Sequence, residues 1–247
     1  MKHIKDFDRG FLDKKNILVT GSTGGIGKEL ALGLSSYGAN VILHGKNEDS
    51  LDKIYDEIIQ KFNTNPIIVK CDLNALDEGR AQEFANAIQG SYKSLDGIIN
   101  NAAIIGKMST LVDYDLATWQ KVININVTSS YLLTKYLIPL MDGSKNPRII
   151  FTSSGVAEKG RAYWGAYAVS KAAVKSLAEI LKEELEPISQ IRIFNFDPGK
   201  TKTAMRAFAY PAENPNDLKD ASSLLSHYLW MLSKASNETT ERYIKFD

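Results

Sequence analysis

Only one cysteine, Cys71, stands in the 247-residue chain. An internal disulfide is therefore impossible, and nothing near Cys71 has the spacing of a metal-ligand set, which suits a reducing compartment and a structural thiol. Net charge is as scarce as cysteine: 30 Lys and Arg oppose 29 Asp and Glu, for a formal +1. No basic field is available for a nucleic-acid backbone, so any anion must be held by a local site. No stretch approaches the roughly 20 apolar residues of a membrane span, and the opening MKHIKDFDRGFLDKKN mixes both charge signs without the apolar run of a signal peptide. Repeats, low-complexity tracts and linkers are also missing. These absences describe a cytoplasmic protein with a small-molecule partner and neither nucleic acid nor membrane. With 44% hydrophobic and 24% charged residues, one domain over 1–247 accommodates the chain.

What is present is an alternation. From Asn16 onward, short β-branched runs take turns with longer segments of helical period, the pattern of βαβ units on a mainly parallel sheet. Seven strands are expected at Ile17–Thr20, Val41–His44, Ile67–Lys70, Gly97–Asn100, Arg148–Thr152, Ile191–Phe196 and Arg242–Phe246. Helices are expected at 25–37, 48–62, 76–90, 116–140, 165–186 and 218–234. Continuous apolar runs such as IIVK and RIIF belong to strands covered on both faces, so the fold class is α/β, a Rossmann-type doubly wound sheet flanked by helices. Residues 200–217, with Pro211, Asn214 and Pro215, are expected to be a loop or short turns where the strands' carboxyl ends emerge, and hence a candidate substrate-covering loop.

Directly after the first strand comes TGSTGGIGKEL. Glycines there let the backbone turn tightly and approach a pyrophosphate, whose charge is favoured by the free N–H groups and dipole of the helix that follows. Glu29 after Lys28 excludes G-x-x-x-x-G-K-[ST], and the spacing is not G-x-G-x-x-G either. T-G-x-x-x-G-x-G remains, shared at this point between a dinucleotide site, a methyltransferase loop and a purely structural turn. At the end of the second strand, LHGKN offers Gly45 and Lys46 where an NAD site would present a carboxylate to the ribose hydroxyls. Lys46 can pair with a 2′-phosphate, which favours NADP(H) over NAD(H); the alternative is a solvated loop lysine.

Tyr167 and Lys171 lie four apart in GAYAVSKAAVKSL and so project from one helix face. An ammonium nearby is expected to pull the phenol below its ordinary value of about 10, toward a usable general acid/base. Eleven tyrosines and many lysines make the spacing common, however, and Tyr131/Lys135 repeats it. The neighbourhood decides between them. Ser154 ends the apolar strand RIIFTS ahead of Tyr167, whereas Thr118, at the same separation ahead of Tyr131, falls inside an expected helix with no strand to deliver it to a cleft.

Taken in order, TGSTGGIG, CDL with Asp72, NNAA at 100–103, Asn126 in INVTSSYLLT, Ser154, the Tyr167/Lys171 pair and DPGKTKT resemble the short-chain dehydrogenase/reductase family from about Asn16 to Phe246. The stretch TKTAMRAFAYPAENP also resembles a bacterial branch of uncharacterised oxidoreductases. The resemblance implies hydride transfer between a nicotinamide and a carbonyl or alcohol substrate. Tyr167 would be the acid/base, Ser154 would hold the substrate oxygen, Lys171 would bind the nicotinamide ribose and tune Tyr167, and Asn126 would hold a relay water. The cofactor would rest on Gly21, Ser22, Gly25, Ile26 and Gly27, on Lys46, on Asp72 at the adenine with Leu73, and on Asn100. Lys171, Pro198, Gly199 and Thr203 would complete its site. Asp72, Asn126 and Thr203 could instead be a helix cap, a helical kink ligand and a turn cap. A homodimer or homotetramer is implied, with the helices of Asn126 and Tyr167 at an interface.

Two departures stand out. Ala103 replaces a glycine of the family's NNAG, where a methyl could crowd the cofactor or forbid a positive φ, and Lys200 and Thr201 occupy positions often more apolar. Ala103 is the sole support for the alternative of a dinucleotide-binding sensor or partner protein without useful turnover. A methyltransferase leaves the Ser154, Tyr167 and Lys171 arrangement unexplained. Tyr163, Trp164, Phe208 and Tyr210 are candidate pocket aromatics.

Overall fold

β-Branched runs that can be covered on both faces become the strands of one sheet, and the periodic segments between them become its helical layers. In the computed structural model, which describes residues 7–246, the chain runs β1 (Asn16–Thr20), α1 (Gly25–Ser36), β2 (Asn40–Gly45), α2 (Glu48–Lys61), β3 (Ile67–Lys70), α3 (Glu78–Ser91) and β4 (Gly97–Asn100). It continues through α4 (Leu116–Ile123), α5 (Ser129–Leu137), β5 (Arg148–Thr152), α6 (Gly165–Leu185) and β6 (Arg192–Asp197). The last part comprises β7 (Thr201–Lys202), α7 (Ala204–Ala209), β8 (Lys219–Asp220), α8 (Leu225–Leu232) and β9 (Tyr243–Lys245). The expected domain span of 1–247 includes residues 1–6 and 247, which lie outside the described residues, as does the start of the charged N-terminal stretch.

Seven strands form a wholly parallel sheet in the order β3-β2-β1-β4-β5-β6-β9. Strand order reverses between β1 and β4, which opens a crevice at the carboxyl ends there. β4 and β5 are buried at every position. One face packs α1, α2 and α8 through Leu30, Leu34, Leu51 and Tyr228; the other packs α3, α5 and α6 through Phe84, Leu133 and Val174. Arg148 opens β5 as a fully buried cation without a carboxylate. It donates to the carbonyls of Pro147, Met231 and Ser233 and to the side-chain oxygens of Asn146 and Asn237, stitching the segment after α8 to the sheet. Among the described residues no helix is long and apolar enough to cross a membrane.

The expected strands all form, with ends shifted by a residue or two. Two helices and the expected loop differ. The continuous helix expected over 116–140 is broken by a π-helical turn at Asn124–Thr128 and ends in a 3-10 turn at Ile138–Met141. Hydroxyls of Ser129 and Ser130 donate back to the carbonyls of Ile125 and Asn126, a pattern that competes with regular helix. The helix expected over 218–234 is shorter, because Lys219–Asp220 pairs as a strand with Thr201–Lys202 and a 3-10 turn precedes α8. For the same reason residues 200–217 are not a loop: they hold β7, α7 and a 3-10 turn, clamped by a two-pronged ion pair between Arg206 and Glu213, each contact 2.6 Å.

Candidate active site

At the switch point a cleft of about 550 Å³ opens between the glycine turn, β2, β4, β5 and α7. Its floor is the turn from β1 into α1. Gly21 adopts φ 68°, a conformation glycine adopts freely, and a Cβ on Gly27 would overlap the Gly21 carbonyl oxygen and come within 2.8 Å of the Asn101 amide nitrogen. Only glycine permits this approach. α1 begins at Gly25 with no acidic residue in its first turn, so nothing repels an anion from its free N–H groups. The Thr20 hydroxyl accepts from the backbone nitrogens of Asn101 and Ala102, both at 2.9 Å, and locks the end of β4 beside this turn.

His44 is the residue the sequence did not flag. Its Nδ1 accepts from the Gly21 backbone nitrogen at 3.2 Å, so Nε2 carries the proton and donates to the Cys71 carbonyl, also 3.2 Å. Burial holds it far below its ordinary value, at about 4, against the smaller upward pull of the Cys71 bond and Asp72. A depressed folded value means that this neutral ring contributes stability above pH 6.5 that is lost as pH falls toward 4. Urea unfolding is expected to show about 2 kcal/mol less stability at pH 5 than at pH 7.5 from this group. His44→Gln, which keeps an amide in the slot, should remove that part of the pH dependence; an unchanged slope would count against the assignment.

The cleft wall at the end of β2 carries Gly45 and Lys46, and just beyond it Glu48 is paired with Lys70 at 2.6 Å. Asp72 caps the short turn at Leu73–Ala75 by accepting from the Asn74 nitrogen at 3.0 Å, and both Asp72 and Leu73 line the cleft. Gly21, Gly25, Ile26, Pro198, Gly199 and Thr203 line it too; Thr203 also caps α7. Four expected site residues do not line it. Ser22 is buried with its nitrogen and hydroxyl on the His44 carbonyl, and Gly27 packs beneath the turn. Asn100 donates to the Thr134 hydroxyl, tying β4 to α5. Asn126, in the π turn, accepts from the Ile104 nitrogen and donates to the Ile104 carbonyl and the Ser170 hydroxyl, all at 2.9 Å.

On the opposite wall β5 delivers Ser154, and α6 carries Tyr167 and Lys171 inward. The Lys171 ammonium donates to the Thr152 carbonyl at 2.7 Å and stands 5.7 Å from the centre of the Tyr167 ring. The expected lowering of the tyrosine is overturned. Burial pushes Tyr167 up to about 12, with the Ser154 hydroxyl pulling down and Asp197 pushing further up. Burial also brings Lys171 down to about 8, against Asp197. Both groups are out of water, and desolvation penalises the charged form of each. Tyr131, by contrast, is exposed on α5, with Lys135 on Glu78 at 2.6 Å.

Asp197, unmarked in the sequence beyond its place before Pro198, ends β6 inside the cleft and orders the next turn by accepting from the Gly199 nitrogen at 2.9 Å. Around Tyr167 the walls are apolar: Ile104, Ile105, Trp164, Met205 and Ala209. Of the four candidate aromatics only Trp164 reaches the cleft. Tyr210 packs behind it at 5.8 Å with the Arg206 guanidinium on its ring, while Tyr163 and Phe208 are exposed.

A family model described as short chain dehydrogenase matches residues 15–214. The chain is 37% identical over 229 residues to the uncharacterised oxidoreductase YciK of Escherichia coli K12, covering 93% of this chain and 90% of that protein. Among solved structures, a short chain dehydrogenase from Shigella flexneri 2a complexed with NADP superposes with a TM-score of 0.93 at 36% identity, over 96% of this chain and 99% of that one. One from Escherichia coli CFT073 complexed with NADPH gives 0.92 at 36% identity, over 97% and 99%. With the glycine turn, the β5 serine and the α6 tyrosine and lysine gathered around one crevice, and with these likenesses spanning nearly its whole length, the chain belongs to the short chain dehydrogenase family of oxidoreductases.

Proposed function

We propose that the protein reduces a carbonyl compound, or oxidises the corresponding alcohol, with NADP(H), using Tyr167 as the proton donor and acceptor. The observation that carries this reading is the placement of the Ser154 and Tyr167 side chains on one apolar wall of a cleft whose other end is a glycine turn at a helix start. The residues fit the cofactor. Gly21 and Gly25 leave the turn open for a pyrophosphate, Lys46 stands where a 2′-phosphate would need a cation, and Asp72 and Leu73 border the adenine end. Bound there, the nicotinamide supplies the hydride.

The remaining work falls to the chain's own side chains. Ser154 holds the substrate oxygen and Tyr167, protonated at neutral pH at about 12, donates to it as charge develops. Lys171, anchored on Thr152, returns a proton to Tyr167, and the apolar walls select a substrate with an apolar flank beside its carbonyl while excluding water. The segment 200–217 supplies part of that wall through Met205 and Ala209 and serves as the substrate cover. The alternative of a partner protein without turnover loses the backbone half of its support. Among the described residues the only non-glycine positions of positive φ are Lys14 and Tyr163, so Ala103 sits in ordinary backbone. Exposed apolar Tyr131, Val169 and Ile180 on α5 and α6 support assembly of copies through those helices.

Steady-state assays with a panel of aldehydes and ketones test the proposal. Lys46→Ala is expected to raise KM for NADPH about tenfold while leaving KM for NADH unchanged, the loss of one charge-assisted contact. Equal changes for both cofactors would remove Lys46 from phosphate recognition, and no turnover of any carbonyl would defeat the reading.

A further inference from the structure

β6 faces two ways. Phe194 and Phe196 enter the core with α1 and α8, while Ile193 and Asn195 face α6, so the apolar period on that side is broken by one buried amide. Tyr243 stands beside Asn195 in the parallel register of β9 and shares its face. Between these strands and α6 lies a second cavity of about 170 Å³, walled by Ala178 and Ile193 and flanked by Glu179 and Lys182. It has about a third of the 550 Å³ of the active-site cleft, room for one small group and not for a dinucleotide, and no lining residue is common to the two spaces.

Asn195 is 3% exposed, and neither its amide nitrogen nor its oxygen has a hydrogen-bond partner, although buried amides in native folds are almost always satisfied. A donor and an acceptor therefore stand side by side, both open. The Tyr243 hydroxyl is likewise buried and unpartnered; burial pushes it up to about 12 against a smaller pull from Ser153, so it stays a neutral O–H that can donate and accept. Arg242, which also lines the cavity, is already engaged by Glu186 at 2.9 and 3.2 Å and by the Thr239 carbonyl. Glu179 and Lys182, neighbours on one face of α6, hold only loose exposed partners, Lys175 at 4.0 Å and Glu183 at 3.7 Å. Water alone suits this space poorly. About five molecules at ~30 Å³ each would enter, each in need of about two to four polar partners, whereas Ala178 and Ile193 offer none and the unpartnered buried atoms of the lining number three.

We propose that this cavity is a binding site for a small molecule carrying a primary-amide or lactam edge. The N–H and C=O of such an edge pair with the oxygen and nitrogen of Asn195, and the Tyr243 hydroxyl meets the hydrogen-bonding capacity that remains. Ala178 and Ile193 pack against its apolar part. A carboxylate is the wrong partner: it only accepts, so one of its oxygens would be set against the Asn195 oxygen. The edge has two sources. The side-chain amide of an amino acid would bring an ammonium to Glu179 and a carboxylate to Lys182, whereas a pyrimidine base would leave both charges in water.

Calorimetric titration of the NADPH-saturated protein tests the site, with L-glutamine and uracil as probes and L-glutamate and dimethyluracil as counterparts that lack the edge. At least one probe is expected to bind, with Kd raised about tenfold or more both for its counterpart and for the probe on Asn195→Leu, the loss of the paired hydrogen bonds. Lys182→Ala should weaken glutamine and leave uracil unchanged, which separates the two sources. A wild-type crystal soaked with the bound probe should show it on both Asn195 atoms, a readout that does not depend on how well Asn195→Leu folds. Binding of neither probe, equal affinity for a probe and its counterpart, or a soaked cavity holding only water would overturn the proposal. So would a probe that binds only when NADPH is absent, since it would then occupy the cleft. None of these measurements involves turnover, so the carbonyl-reductase reading stands or falls separately.

Discussion

Tyr167→Phe is expected to lower kcat for carbonyl reduction by at least about a hundredfold, the usual worth of a positioned general acid. The ring is almost fully buried against Trp164, at 5.6 Å between centroids, and phenylalanine fills the same space, so the fold and the cleft should be retained. NADPH affinity, read by fluorescence titration, should therefore stay within about threefold, because the glycine turn and Lys46 are untouched. Tyr131→Phe is the matched control: it shares the lysine spacing but lies exposed on α5, and its kcat should equal that of the wild type. Retained activity in Tyr167→Phe would remove the tyrosine from the chemistry. A loss of cofactor affinity equal to the loss of rate would assign it to binding instead.

Gly27→Ala should abolish tight cofactor binding with Tyr167 untouched. The added methyl would overlap the Gly21 carbonyl and crowd the Asn101 amide, and Asn101 is fixed by its donation to the Thr20 carbonyl at 3.1 Å. Backbone cannot swing aside as a flexible side chain can, so the turn must open. Overpacking of this kind costs about 3 kcal/mol, which corresponds to a Kd for NADPH raised about a hundredfold. Gly160→Ala is the contrast, since it lies outside the cleft and a Cβ there meets nothing within 4 Å, and it should leave Kd unchanged. Equal affinity in both variants would refute the close-packing role of Gly27.

Legibility followed the range of the interactions. β4 and β5 read directly as GIIN and RIIFT because burial on both faces demands an unbroken apolar run. The broken helix over 116–140 was not legible, because its apolar spacing is that of one helix and the π turn is imposed by what Asn126 reaches across the fold, Ile104 and Ser170. Residues 200–217 read as loop from their prolines, while their order comes from the Arg206 and Glu213 clamp and from pairing with Lys219–Asp220. At the site, residue types in fixed local spacing were visible: the glycine turn, Ser154, Tyr167 and Lys171. His44 and Asp197 carry no local signature, since each acts through a partner distant in sequence or only through its position in the assembled cleft.

By itself the sequence determined the class of fold, the strand candidates, the family and the residue types available for acid/base work, because hydrophobic period and short-range spacing are written along the chain. Tertiary structure decided the electrostatic state of those residues. A lysine four positions away suggests a lowered tyrosine, but both groups are buried together, and desolvation raises the Tyr167 phenol to about 12 and lowers the Lys171 ammonium to about 8. It also decided which expected contacts reach the cleft. Ser22 and Asn126 are of the right type in the right motif, yet their polar atoms bond to His44, Ile104 and Ser170, partners that only the folded chain brings within reach.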